Sequence, residues 1–122
     1  MAKLIRTLVL ATLCVAGGLA HADVGGTWTA SFETQVGTQT YTYTFKVDGA
    51  ALTGTAKGNL IADSMLSDGK VDGNKITFVE KGTYMGMPLT FNYSGELVGD
   101  EIKLKRELMG FPAEEFVAKR SQ

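Results

Sequence analysis

From Thr40 to Val47 the chain reads Thr-Tyr-Thr-Tyr-Thr-Phe-Lys-Val. On an extended backbone Tyr41, Tyr43, Phe45 and Val47 fall on one face, and Thr40, Thr42, Thr44 and Lys46 on the other. Strict period-two alternation in β-branched and aromatic residues marks a strand with one buried side. The pattern recurs. Trp28, Ala30 and Phe32 alternate with Thr27, Thr29, Ser31 and Glu33; Met87, Leu89, Phe91, Tyr93 and Leu97 alternate with Thr90, Asn92, Ser94 and Glu96; Ile102 and Leu104 alternate with Lys103 and Lys105. No stretch of the later chain carries the i, i+3, i+4 apolar stripe of a helix. The pattern predicts an all-β domain of eight strands, over 26–34, 39–47, 51–57, 64–71, 75–81, 88–97, 101–107 and 113–120.

Three of the connections are short and alike: Val47-Asp48-Gly49, Val71-Asp72-Gly73-Asn74 and Val98-Gly99-Asp100. Glycine beside Asp or Asn supplies the positive φ of a tight hairpin turn. Eight strands in such a meander predict a closed antiparallel up-and-down barrel, which leaves no free sheet edge; a two-sheet β-sandwich is the alternative. Successive connections of a meander lie at opposite ends, so the three tight turns share one end. The other end receives 58–63, 82–88 and 108–112, the last two each holding a Met-Gly-apolar-Pro unit. Met65, Tyr84, Met85, Met87, Met109 and Phe111 therefore gather at one end of the barrel. They form either an adaptable apolar binding surface or an inward-folded plug. Tyr43 and Tyr93 fall on the inner wall. Their hydroxyls need partners there, which mutual hydrogen bonds, ordered water or a polar group of a ligand would supply.

The first residues differ in composition. Lys3 and Arg6 precede an apolar run from Leu8 to Ala20, which ends in Ala20-His21-Ala22. A basic start, a short apolar stretch and a small-x-small ending predict a secretory signal peptide over 1–22, with the mature domain over 23–122. The run is too short to span a bilayer as a helix, so no membrane span is expected. The chain is then exported, to the periplasm or the medium. Cleavage removes the single cysteine, Cys14, and the single histidine, His21, and leaves ten basic side chains against thirteen acidic ones. The mature domain is then without disulfides, thiol nucleophiles, Ser-His-Asp triads and His- or Cys-based zinc sites. Its charge balance lacks the basic excess of a nucleic-acid binder. Outward Thr, Ser, Lys and Glu exclude an outer-membrane barrel.

Few residues suggest catalysis. Glu114-Glu115, with Glu107 nearby, forms a carboxylate cluster beside the Met-rich end, but neighbours on a strand face opposite ways and cannot converge on one substrate. Asp63, Asp68 and Asp72 lack the spacing of a calcium loop. The sequence thus predicts no enzyme, no metal and no cofactor. It predicts a binding protein that holds a small apolar or amphipathic molecule, such as a lipid, at the Met-rich end. The alternative is a module that docks a protein partner or a second copy through the same loops.

Gly26-Thr27-Trp28 opens the first strand, and Lys119-Arg120 ends the last. In a closed meander these meet at the tight-turn end, where Arg120 or Lys119 could stack over Trp28 and seal a structural base. A Gly-x-Trp on the first strand facing a basic residue on the closing strand is similar to the lipocalin and avidin (calycin-type) barrels. Asp48-Gly49-Ala50-Ala51-Leu52-Thr53-Gly54-Thr55 also resembles the second hairpin of avidin-type proteins. The resemblance implies a calycin-like barrel binding a small apolar molecule at its open end. It does not extend to biotin, since avidin-type sites are lined by several tryptophans and this chain has one. Lipocalins proper are longer and often disulfide-bonded; the general appearance is closer to small secreted lipocalin-like proteins of bacteria.

Overall fold

The computed structural model describes residues 24–121; the expected leader over 1–22 lies outside the described residues. Eight strands follow one another: β1 (Gly26–Thr34), β2 (Gly37–Asp48), β3 (Ala51–Gly58), β4 (Ser64–Asp72), β5 (Lys75–Tyr84), β6 (Met87–Val98), β7 (Glu101–Leu108) and β8 (Glu114–Arg120). Each pairs antiparallel with its neighbours in sequence, and β8 returns to β1, so the sheet closes into a barrel rather than a sandwich. This architecture is compatible with a calycin-like fold.

Gly49, Gly73 and Gly99 take φ of 64°, 63° and 63°. Each is the first central residue of a two-residue turn, the glycine position of a type II′ hairpin, whose twist matches that of the flanking strands. The other end differs from the expected one. Of its connections, 59–63 and 109–113 are five-residue loops, but β5 and β6 continue to Tyr84 and Met87 and turn on Met85-Gly86 alone. Gly82 and Pro88, which sequence marks as breakers, lie within the ladder, Gly82 opposite Leu89 and Pro88 opposite Thr83. Gly82 is required there because a Cβ would sit 2.4 Å from Cγ2 of Ile61. Ile61, brought in from the 59–63 loop, is itself buried. It occupies the space beside β5 and plugs the mouth of the barrel. The loop is held over the mouth by Ala62 N donating to Thr83 O at 2.9 Å, and by Asn59, whose Oδ1 accepts from Thr40 N at 2.8 Å.

β4 carries an irregularity. Its register shifts against both β3 and β5 around Asp68-Gly69, with Asp68 at φ 54°. One extra residue bends the strand locally, as β-bulges do in small barrels.

The inner wall is filled. At the tight-turn end Val24, Leu52, Ile76, Ile102 and Ala118 surround Trp28, all nearly inaccessible. Above them Tyr43, Phe45, Phe78 and Tyr93 interlock, with Phe78 stacked on Tyr93 at 4.4 Å between centroids. Toward the mouth Phe32 stacks on Phe116 at 3.8 Å. That last contact bridges β1 and β8 where their backbone pairing has ended: the two strands pair only through Trp28–Arg120 and Thr29–Lys119.

Closure of the barrel is concentrated at this seam. The Arg120 guanidinium lies 4.2 Å from the Trp28 ring centroid, and its Nη1 donates to Gly25 O at 3.0 Å. The Trp28 indole N–H donates to Val24 O at 2.9 Å. Lys119 points outward. Replacing Arg120 by Ala should therefore cost about 1–2 kcal/mol, from the lost cation–π stack and hydrogen bond. Lys119→Ala should stay within ~0.5 kcal/mol of the parent. Thermal melts of the two variants check this, and equal melting temperatures would remove the clasp from the account.

Candidate functional site

Continuing the inward rows of the barrel toward the mouth brings polar residues into the core. On β5 the row Ile76, Phe78 runs on to Glu80; on β7 Ile102, Leu104 runs on to Arg106; on β2 the tyrosines are preceded by Gln39. Glu80 and Arg106 are 0% and 2% exposed. A buried charge is tolerated only where partners replace water, and the neighbouring strands provide them.

Glu80 accepts from two hydroxyls, Tyr41 at 2.9 Å on Oε2 and Tyr93 at 2.6 Å on Oε1. The hydroxyls of Tyr43 and Tyr93 are 3.0 Å apart. Since the single Tyr93 proton is given to Glu80, Tyr43 is the donor of that pair. On the other side Arg106 donates from Nη1 to the Tyr41 hydroxyl at 3.2 Å, from Nη2 to Gln39 Oε1 at 3.3 Å, and from Nε to Glu114 Oε1 at 2.7 Å. Its planar cation also lies 4.2 Å from the Phe91 ring centroid and 5.0 Å from that of Phe32. A single hydrogen-bonded line thus runs from Glu114, partly open at the mouth, through Arg106 and Tyr41 to Glu80, and ends at Tyr93 and Tyr43. From Arg106 to Tyr41 and from Tyr43 to Tyr93 the donors run toward Glu80, while Arg106 also donates outward to Glu114 and Gln39.

Burial pushes the Glu80 carboxyl above the usual carboxylate range, and the Tyr93 and Tyr41 hydroxyls and the Arg106 charge pull it only part of the way back. Burial likewise raises Tyr41, Tyr43 and Tyr93, keeping these phenols neutral. For Arg106 burial works against the charge, but its ion pair with Glu114 and its hydrogen-bonded surroundings outweigh it and hold its pKa above the ordinary value. The group is an acid–base cluster in chemical type. It lies beneath Ile61 and behind packed rings, and Glu114 is its most accessible member.

The residues expected to bind lie in two places. Tyr43 and Tyr93 are inside the barrel, bonded to each other. Met65, Met85, Met87 and Met109 are 79%, 87%, 62% and 95% exposed, and Phe111 is 56% exposed. Val36, on the turn between β1 and β2, joins them at 49%. Tyr84 is half-buried beneath, packed against the core with Leu89 and Leu108. The methionines therefore do not plug the barrel; Ile61 does. Two shallow grooves, of about 570 and 450 Å³, lie elsewhere, one on the outer wall edged by Lys75, Glu96, Lys103 and Glu115, the other beside the β1–β8 seam. No group of three or more His, Cys, Asp or Glu able to hold a metal occurs among the described residues. Trp28 and Arg120 form the base contact described above, at the opposite end from the methionines. Glu114 and Glu115 part as strand alternation requires, Glu114 turning in to Arg106 and Glu115 facing solvent.

Glu80, Arg106 and Gln39 were not singled out from sequence. The signal was present: each continues an inward-facing row by two positions, and the two charges are opposite in sign. No family model matches the chain, and neither does any curated protein sequence.

Two outcomes are expected. The raised Glu80 pKa means that the folded state holds its proton more tightly than the unfolded chain. Stability from this group is complete below the unfolded value of roughly pH 4.3 and is lost as pH rises through the folded value. Glu80→Gln should remove that loss, so its melting temperature should gain on the parent's with rising pH across this window and run parallel beyond it. Arg106→Met should leave Glu80 and Glu114 without their cation and cost about 3–5 kcal/mol in denaturant unfolding. Combining it with Glu80→Gln should recover part of that loss.

Proposed function

We propose that the chain is an exported, non-enzymatic binding protein on a lipocalin-like frame, which docks an apolar segment of a protein partner through its Met-rich end. The observation that carries this reading is the collection of Val36, Met65, Met85, Met87, Met109 and Phe111, all exposed, at one end of a barrel whose other exposed surface is largely polar. Large exposed apolar side chains grouped in one place are a mark of interaction surfaces. Unbranched methionine side chains reshape to fit varied partners.

The packed interior argues against a cargo carried inside the barrel. Filled by aromatic rings, Ile61 and the Glu80–Arg106 line, it favours a surface that is docked over a cavity that is entered. With ten basic side chains against thirteen acidic ones after cleavage, net charge gives no attraction to an anionic lipid surface. A protein partner with an apolar segment fits both observations. The basic start and short apolar run of 1–22 support export.

A second reading is a small apolar or amphipathic molecule lying on the same end. It is favoured by Tyr84, Leu89 and Leu108, which form a half-buried apolar floor beneath Met87.

Native mass spectrometry of the protein purified from the compartment that holds it separates these. The expected result is a complex with a companion protein that is lost when Met85 and Met109 are both replaced by Ser. The double variant should melt within ~2 °C of the parent, since both side chains project into solvent. A companion kept by the double variant would overturn the reading, and an added mass of small-molecule size would favour the second one.

A further inference from the structure

Methionine on one side and leucine and isoleucine on the other are distributed in this barrel without overlap. All four methionines among the described residues are exposed, from 62% to 95%, and all lie at one end. None of the leucines or isoleucines among the described residues is exposed. Leu and Met exchange readily in protein cores, and Met commonly serves as core filler. Val36 and Phe111 share that end, but among these exchangeable residue types every exposed one carries sulfur. The backbone gives an independent sign. Met85 takes φ of 51°, as the first central residue of a two-residue turn with Gly86 at 81°. Asn, Asp or Gly adopts that conformation more readily than an unbranched apolar residue. A methionine is held there against local preference.

We propose that Met65, Met85, Met87 and Met109 are a modification site for two-electron oxidants of the peroxide class, and that their conversion to sulfoxides turns this end of the barrel from apolar to polar while the fold stays intact. In each event a thioether sulfur attacks the distal oxygen of the peroxide. The O–O bond breaks as the S–O bond forms, the proton of the transferred oxygen passes to the departing hydroxide, and one water leaves. Sulfur is oxidised by two electrons and the peroxide is reduced by two. No activation by the protein is needed, only access.

The rest of the barrel is arranged to confine the reaction. Trp28, Tyr41, Tyr43 and Tyr93 are buried, and no cysteine occurs among the described residues. Sulfoxide formation inside a core disrupts packing; here no methionine belongs to the buried cluster. That oxidation would also release a docked partner rests on the reading under Proposed function, whereas the oxidation site itself does not.

The test treats the folded exported domain, 23–122, with hydrogen peroxide and follows it by peptide mapping, thermal melting and retention on a phenyl-substituted resin. Each of the four positions should gain about 16 Da at a rate within roughly twofold of free methionine. The melting temperature should move by less than ~2 °C, and retention on the resin should fall. Oxidation tenfold slower than free methionine at two or more positions, or a fall in melting temperature of ~10 °C, would overturn the proposal. The variant Met65→Leu, Met85→Leu, Met87→Leu, Met109→Leu keeps the apolar end without its sulfur and should stay on the resin after peroxide. Its loss from the resin would also overturn the proposal, because oxidation elsewhere would then be the cause. If the untreated parent is not retained at all, the docking reading fails, and the oxidation site is decided by the map and the melt alone.

Discussion

A carboxylate and a guanidinium sit in the same closed interior, on strands β5 and β7, and neither could stay there without the other and the tyrosines between them. This shared burial governs the upper half of the barrel. Tyr41 must lie between Glu80 and Arg106 to give one hydrogen bond and take another. Tyr93 must reach Glu80 from β6, and Gln39 and Glu114 must complete the coordination of the guanidinium at the mouth. Five strands are committed to one arrangement. An apolar core of the same volume would tolerate many packings; polar groups with directional needs tolerate few. The aliphatic layer around Trp28 carries burial, and the polar layer above it carries uniqueness.

Much of this frame was legible in the chain. The Tyr-Thr alternation from Gln39 to Val47 could only be a half-buried strand, and the Gly-Asp and Gly-Asn pairs could only be tight turns. Once strand number and turn placement were known, the gathering of methionines at one end followed from alternation alone, whereas closure stood beside a two-sheet sandwich until the β8–β1 pairing decided it. What escaped was contextual. Glu80 and Arg106 read locally as ordinary solvent-facing charges, and only registration against Phe78 and Leu104 turns them inward. Gly82 reads as a breaker because the reason for it, the Ile61 methyl, arrives from a loop distant in sequence. For the same reason the connection through Met85-Gly86 is shorter than its composition suggests. Ile61 itself sits among loop residues, and nothing local distinguishes a side chain that plugs from one that floats.

The two ends of the barrel divide the work. At one, tight turns and an aliphatic layer present little but polar surface. At the other, the polar line lies beneath Ile61, half-buried Tyr84, Leu89 and Leu108 pack against the core, and sulfur-bearing side chains face out around them. Because the interior is complete without the methionines, that surface is free to change chemically or sterically at little cost to the fold. A surface of this kind can vary while its support does not.

The β1–β8 seam also bears on how the molecule is made. Every other strand pair joins neighbours across a short connection, so seven hairpins can zip from local encounters. Only the last pairing must bring together residues as far apart as Gly25 and Arg120, 95 positions distant. Closing so long a loop carries the largest entropic cost and comes after the contacts that shorten it. The chain is therefore expected to pass through a curled, open sheet with both edge strands unpaired, and to become a barrel only when Arg120 reaches Trp28. Until that moment two strand edges are available to other chains. The latch that ends folding is also what ends the risk of aggregation.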